Sequence, residues 1–232
     1  MGLSVSQKVP TGRKLSHLGV EHSPVALWTG DSTLADSSGN GFALGVDRGT
    51  ELYGPLGGGL AGFMLDGATR LGIAEAALKL SGDMTLQCLA RPTELAVSGY
   101  ANMVRCEGPE SYIFYLARTT NADASLYYYQ TNTAGSYSYF PPNHKLYVPA
   151  GPVLLGFVRG GGAIQMYVDG SPFGPADAIT GTIDSATTGV VYVGENSSDA
   201  QSFKGTLGSI KIVGSALTDA QMYSEAERVG VV

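Results

Sequence analysis

Residues 203–222 read FKGTLGSIKIVGSALTDAQM, and they decide the fold of this chain. Their first half predicts a last β-strand, and a tight connection then leads into one short amphipathic helix. Thr218 and Gln221 have the spacing of a capping box, in which the hydroxyl accepts from a first-turn amide and the Gln side chain reaches back. We expect Gly230 to end the helix. The buried helix face is expected to comprise Met222, Tyr223, Ala226 and Val229.

Upstream, short strand-like segments follow one another between glycine turns such as Asp169-Gly170. Residues 84–91 alternate most clearly. One face of that strand would carry Met84, Leu86, Cys88 and Ala90, and the other Thr85, Gln87 and Arg91. The 33 glycines and 13 tyrosines suit such a chain. The sequence therefore predicts an all-β, two-sheet antiparallel jelly-roll sandwich with one short C-terminal helix.

The order of several segments resembles the laminin-G-like branch of the concanavalin A-like lectin/glucanase superfamily. Residues 26–41 resemble its first strand and loop, residues 60–67 its next strand, and residues 155–170 its central hairpin. Together with the C-terminal strand and helix, the similarity spans residues 25–229. Two departures stand out. Gly208 and Ser209 replace acidic residues that often follow the last Phe-x-Gly, and Gln221 replaces the usual helix Glu.

The first 24 residues differ from the rest, because they are basic and a proline and a glycine interrupt any helix. They carry Lys8, Arg13 and Lys14. We therefore divide the chain into an extended N-terminal arm, residues 1–24, and one laminin-G-like domain, residues 25–232. A basic arm beside an acidic domain is interpreted as an assembly element, so an oligomer or a larger assembly is expected.

Charge and hydropathy exclude two classes of partner. The net charge is −6 and the sequence pI is about 5.0, so the basic stripe that binds nucleic acid is missing. No apolar run approaches the roughly 18 residues of a membrane span. Only 15% of the residues are charged, which indicates surface hidden in contacts.

Localisation is predicted from a tension between two observations. Laminin-G-like modules usually work outside cells, yet the N-terminus lacks the apolar core of a secretory signal. A phage virion protein reconciles the two, because it is made in the host cytoplasm and released by lysis. A fragment of a secreted, extracellular protein is the alternative.

Two cysteines, Cys88 and Cys106, lie on predicted strands that flank the loop around residues 93–100. A simple hairpin would place them opposite one another. Cytosolic synthesis favours two buried, reduced thiols, and a cross-strand disulfide is the alternative.

Catalytic signatures are missing from the sequence. Glucanases with this fold often carry Glu-x-Asp-x-Glu on one strand, where alternation places the carboxylates on one face. Neither this motif nor its one-residue extension occurs here. The three histidines lie in the arm and in a Pro-rich loop, away from any nucleophile signature. We therefore expect that the protein is not an enzyme and has no catalytic residues.

The family resemblance also implies a Ca²⁺ site, because related folds commonly hold this ion with loop oxygens. The best candidates are Asp36 and Asn40, in an oxygen-rich loop. The alternative is that both residues simply form turns.

A cluster of aromatic residues is a further candidate site. Tyr127, Tyr129, Tyr137 and Tyr139 are assigned to contact with a glycan or with a neighbouring subunit, because exposed tyrosines stack on sugar rings and anchor protein interfaces. Cross-strand packing within the sheet is the alternative.

Three functions remain after these exclusions. The leading one is a non-enzymatic phage virion structural protein, decorating the head or associated with the tail. The second is a carbohydrate-binding adhesin that recognises host-surface glycans. A glycan hydrolase is the third, and the missing carboxylate spacing disfavours it.

Overall fold

A computed structural model describes residues 16–74, 76–78, 80–93, 100–107, 111–118, 123–132, 135–139, 141, 144–147, 151–181, 183, 189–194 and 203–232. The strands are, in chain order, β1 Ala26–Trp28, β2 Gly45–Arg48, β3 Tyr53–Gly57, β4 Leu60–Asp66, β5 Arg70–Ala74, β6 Met84–Pro92, β7 Tyr100–Glu107, β8 Ser111–Arg118, β9 Asp123–Asn132, β10 Gly135–Tyr139, β11 Leu146–Tyr147, β12 Val153–Gly160, β13 Ala163–Val168, β14 Ser171–Pro172, β15 Asp177–Ala178, β16 Val190–Val193 and β17 Lys204–Val213. A 3₁₀ turn spans Ala76–Leu78, and helix α1 spans Asp219–Val229.

These strands form two antiparallel sheets. The first, called the covered sheet below, has the order β14-β13-β12-β6-β17-β4-β3. In addition, β1 pairs with β17 and β15 pairs with β13. The second, called the open sheet, has the order β10-β9-β8-β7-β16-β5-β2, with β11 beside β9. The predicted two-sheet sandwich with one C-terminal helix is confirmed. In the described parts of the chain, no helix has the length and apolar character needed to cross a membrane.

The core lies between the sheets and follows from strand alternation. On β6 the predicted inward set is fully buried there: Met84, Leu86, Cys88 and Ala90. Large aromatic side chains from both sheets meet this set. Phe157 of the covered sheet lies 4.7 Å, between ring centroids, from Tyr128 of the open sheet. The inner faces of the two sheets therefore bury one continuous apolar layer.

The helix covers the outer face of the covered sheet. Its capping box is present at Thr218 and Gln221, and Gly230 ends it with φ of 83°, as predicted. Its buried residues are Met222, Glu225, Ala226 and Val229. The expectation that Tyr223 is buried was wrong, since this ring is 46% exposed and Glu225 takes the inward position.

Burial under the helix explains a second departure from alternation. The outward residues Thr85 and Gln87 of β6 are fully buried, although their types are polar. The Thr85 hydroxyl donates to the Ser215 carbonyl at 2.8 Å and accepts from the Leu217 amide at 3.0 Å. These bonds tie the connection before α1 to the sheet.

The described end of the predicted arm lies against the domain. Leu18 is 2% exposed and packs in the cluster that joins the covered sheet to Ala226 and Val229 of the helix. The Ser16 amide donates to the Val229 carbonyl at 3.2 Å. Residues 16–24 therefore contribute to packing. Lys8, Arg13 and Lys14 lie outside the described residues.

Two local expectations were wrong for identifiable reasons. The predicted hairpin between Cys88 and Cys106 does not form, because β6 and β7 belong to opposite sheets. Cys88 and Cys106 form no disulfide and both are buried, as the favoured interpretation had it, and burial raises the pKa of Cys88. Strand β3 was not predicted because Pro55 interrupts it, and β3 tolerates a proline as an edge strand.

Candidate functional site

The outer face of the open sheet, called the open face below, lies opposite to the helix and carries a row of side chains that crosses the sheet. Consecutive cross-strand partners in this row are Ser138, Tyr129, Ile113, Arg105, Tyr192, Gly72 and Gly45. Because each strand in the row is about 4.8 Å from the next, Tyr129 and Tyr192 stand about 14 Å apart.

One end of the open face is an aromatic cluster on β8 and β9. Tyr127 and Tyr129 are half-buried and pack against Ile113. The Tyr129 hydroxyl donates to the Ser136 hydroxyl oxygen at 3.1 Å, which fixes the direction of the ring. This end offers an apolar surface with hydroxyl groups beside it.

The other end is built around Tyr192 on β16. The Arg70 guanidinium lies over the Tyr192 ring, 4.7 Å from its centroid. The same guanidinium pairs with Asp47, with 2.6 Å between Nε and Oδ2. Gly72 lies beneath the ring, and a Cβ there would come within 3.1 Å of it. Burial first, and then the Asp47 carboxylate, raise the pKa of Tyr192, while Arg70 opposes them. The hydroxyl therefore stays protonated.

An ion pair separates these two ends. Arg105 Nε lies 2.8 Å from Glu107 Oε1, and both side chains are partly exposed. The open face thus alternates apolar rings with charged hydrogen-bonding groups. Such a surface can stack against sugar rings and hydrogen-bond their hydroxyls.

Register places only two of the four predicted tyrosines on this face. Tyr137 and Tyr139 pair with Gln130 and Tyr128, so they point inward. Tyr139 is 5% exposed, and its hydroxyl donates to the Pro175 carbonyl. The Tyr137 hydroxyl donates to Asp177 Oδ2 at 2.8 Å. Burial raises the pKa of Tyr139 to about 12. Tyr127 and Tyr129 are therefore the pair that faces outward.

The predicted metal residues have structural partners. Asp36 Oδ1 accepts from the Leu27 and Ser38 amides, and its Oδ2 accepts from the Ser38 hydroxyl and the Phe42 amide. Burial alone would raise the pKa of Asp36, but these bonds outweigh it and lower that pKa. Asn40 donates to the Val25 carbonyl at 2.9 Å. Among the residues described, no group of three His, Cys, Asp or Glu side chains could hold a metal ion.

Sequence reasoning missed Tyr192, Arg105 and Ile113. Alternation along Val190–Val193 does place Tyr192 opposite the buried Val191 and Val193. It cannot reveal that β16 lies between β5 and β7, because this pairing joins strands more than 80 residues apart. The cross-strand row therefore had no signal in the sequence.

Comparisons with known proteins agree with this architecture. The Laminin_G_3 family, described as the concanavalin A-like lectin/glucanases superfamily, matches residues 65–222. None of the curated proteins matches the chain in sequence.

Solved structures are similar to the chain in fold. Domain 4 of AbnA, a GH43 extracellular arabinanase from Geobacillus stearothermophilus in complex with arabinotriose, has a TM-score of 0.69 at 18% identity, over 91% of this chain and 100% of that chain. The binding domain of Paraclostridial Mosquitocidal Protein 1 has a TM-score of 0.65 at 13% sequence identity, over 87% of this chain and 51% of that chain. The binding domain of botulinum neurotoxin DC, solved in complex with rat synaptotagmin II, has a TM-score of 0.65 at 10% sequence identity, over 91% of this chain and 52% of that chain. The chain thus spans about half of each toxin domain.

Proposed function

Since the chain belongs to the Laminin_G_3 family of the concanavalin A-like lectin/glucanases superfamily, we propose that it is a non-catalytic binding module that holds a carbohydrate on the open face. The observation that carries the proposal is the row from Tyr129 to Tyr192. Its length of about 14 Å suits a short oligosaccharide lying across the strands, with one sugar ring stacked on Tyr129 and a sugar hydroxyl bound by the Tyr192 hydroxyl. The sandwich of similar fold that was solved with arabinotriose supports a carbohydrate as the ligand.

The carboxylates of the open face support a role in binding without catalysis. Glycosidases hold two carboxyl groups about 5–9.5 Å apart around the scissile bond. Asp47 and Glu107, the two described here, lie on strands β2 and β7, which two other strands separate. Each is also paired with an arginine, Arg70 or Arg105. Neither carboxylate is therefore placed to act with the other on one glycosidic bond.

Replacing Tyr129 or Tyr192 with Ala tests the proposed site. We expect each change to weaken oligosaccharide binding about fivefold, because one stacked ring, at Tyr129, or one hydrogen bond, at Tyr192, contributes on the order of 1 kcal/mol. The melting temperature should fall only slightly, because both rings are partly exposed. Binding is measured by calorimetry with the best ligand of a glycan array that includes arabino-oligosaccharides.

Tyr223→Ala is the matched control, because this tyrosine is exposed on the helix at the other side of the sandwich. It should leave glycan affinity unchanged. A wild-type protein that binds no glycan on the array, or affinity that is insensitive to both open-face tyrosines, would contradict the proposal. Release of reducing sugar from a bound ligand would contradict the non-catalytic part alone.

A second candidate function is a structural role in a phage virion, as a head-decoration or tail-associated protein that contacts other virion proteins or its own copies. The low charged fraction of 15% favours it, because a domain exposed on all sides usually carries more charge. The basic character of residues 1–15 also favours a structural role in an assembly. These residues precede a segment that Ser16 and Leu18 fix to the helix. A toxin binding domain, about half of which is similar to this chain in fold, was solved with rat synaptotagmin II, which supports a protein as the class of partner.

Deleting residues 1–15 tests this second candidate. Because Ser16 and Leu18 are retained, the domain should keep its melting temperature within about 2 °C, whereas self-association should be lost. Mass is measured by light scattering on both proteins, and incorporation is measured in any particle that contains the protein. A charge-neutral triple variant at Lys8, Arg13 and Lys14 separates the role of charge from that of chain length. Unchanged assembly of the truncated protein would exclude the arm as an assembly element.

A further inference from the structure

A second recess lies on the covered sheet, beyond the part that the helix covers. Arg91 on β6, Thr206 on β17 and Met64 on β4 are cross-strand partners, and all three line this recess. The cavity measures about 520 Å³, which is within the size range of small-ligand sites. It opens on the opposite side of the sandwich from the open face, so it cannot belong to the same binding surface.

The recess combines an apolar floor with a charged rim. Met64 and Pro55 supply the apolar part. The charged residues around it are Arg91, Lys204 and Asp66, in a chain whose net charge is −6. The Arg91 guanidinium on this rim favours an anionic ligand.

Two charged residues on the rim, Asp66 and Arg91, differ in their hydrogen-bond partners. Asp66 Oδ1 accepts from the Ala68 and Thr69 amides, each at 2.9 Å, and these bonds lower its pKa. Its charge therefore stabilises its own turn. Arg70, Arg105 and Arg228 each pair with a carboxylate. The Arg91 side chain, by contrast, makes no hydrogen bond or ion pair with any described residue, although its backbone pairs with Thr206. Its donors are available beside an apolar floor.

We propose that this recess binds an acidic sugar through its carboxylate. The planar guanidinium of Arg91 would hold the carboxylate with two parallel hydrogen bonds, a geometry that lysine cannot reproduce. Met64 and Pro55 would pack against the apolar face of the sugar ring. A short sugar acid suits the recess better than a long charged polymer, because a volume of about 520 Å³ is that of a small-ligand site.

Titration of the full chain with three separate acids tests the proposal. They are glucuronic acid, trigalacturonic acid and N-acetylneuraminic acid, the last as its methyl glycoside. We expect at least one to bind, and Arg91→Gln to weaken it roughly tenfold or more, as loss of a charge-assisted pair does. The methyl ester of the same sugar should bind the wild type as weakly as the free acid binds the variant. Arg105→Gln on the open face is the matched control and should leave this affinity unchanged.

The outcomes separate this site from the open face. No binding of any of the three acids, equal binding of acid and ester, or insensitivity to Arg91→Gln would each overturn the proposal. Tighter binding of a sulfated sugar than of its carboxylate analogue would overturn the choice of ligand. Tyr192→Ala should affect neutral oligosaccharides alone, so either site can fail without the other. If Arg91→Gln were to unfold the protein, the comparison of acid with ester on the wild type still decides.

Discussion

Glu225→Ala is expected to lower the free energy of unfolding by about 3–5 kcal/mol at pH 7. Glu225 is 1% exposed beneath the helix, and its Oε1 accepts from Lys211 Nζ at 2.8 Å. Lys211 is itself fully buried on β17. Removing the carboxylate leaves an ammonium in an apolar layer without a counter-charge. Deprotonating a lysine of ordinary pKa at pH 7 costs about 5 kcal/mol, which is the most that the lysine charge itself can contribute to the loss.

The pH dependence of this loss distinguishes its cause. Burial lowers the pKa of Lys211 in the wild type, although Glu225 opposes the shift. Without Glu225 the folded-state pKa must fall further, while the unfolded-state value stays near 10.4. Between those two values the unfolded chain binds more protons, so stability rises with pH. Urea denaturation at pH 7 and pH 9.5 should therefore show a smaller deficit of the variant at the higher pH.

Two controls accompany this measurement. Lys211→Met should cost much less than Glu225→Ala, because Glu225 retains Arg228 as a partner and the methionine remains apolar. Glu227→Ala, at an exposed position of the same helix, should change stability by no more than about 0.5 kcal/mol. Equal losses for Glu225→Ala and Lys211→Met, or a deficit that does not depend on pH, would show that packing and not charge dominates.

Trp28→Ala is expected to lower the free energy of unfolding by about 3–5 kcal/mol, as truncation of a buried aromatic does. Trp28 is fully buried between the sheets, and its Nε1 donates to the Phe42 carbonyl at 2.6 Å. The side chain therefore fills the core and also fixes the end of the loop that Asp36 organises. The loss is measured by chemical denaturation followed by far-ultraviolet circular dichroism, because the change removes the one tryptophan of the chain.

A milder variant separates packing from hydrogen bonding. Trp28→Phe keeps an aromatic ring but leaves the Phe42 carbonyl without its donor, so we expect a loss of about 1–3 kcal/mol. Val46→Ala, 41% exposed on the edge strand β2, should have almost no effect. A loss below 1 kcal/mol for Trp28→Ala would mean that the core closes around the cavity.

The helix illustrates how far local sequence reasoning reaches. The capping box and Gly230 were predicted correctly, because caps depend on residues only a few positions apart. The buried face was predicted only in part. Choosing Tyr223 over Glu225 follows hydrophobicity, yet Lys211 is buried opposite the helix and requires a carboxylate there. Lys211 lies only 14 residues before Glu225 but on a strand, so its burial against the helix cannot be inferred from the helix pattern alone.

In the candidate site, too, local patterns predicted the alternation within a strand but not the pairing between strands. Alternation along a strand puts Tyr127 and Tyr129 on one face and Tyr128 on the other, and β9 has this arrangement. Tyr137 and Tyr139 were grouped with the outward pair, but the register of β10 against β9 turns them inward. A register is set by the loop and by the facing core, so a shift of one residue would reverse the assignment.

The sequence by itself determined the all-β class, the alternation of each long strand and the closing helix with its caps, because these follow from periods and spacings within about ten residues. Tertiary structure alone decided which strands are neighbours. It therefore decided that Tyr129, Arg105 and Tyr192 share one row, and that Arg91 borders a recess with Met64. It also decided that Leu18 packs against the covered sheet and the helix. The physical reason is that antiparallel pairing joins segments far apart in the chain, and the buried surface that selects those pairs exists only once both sheets have formed.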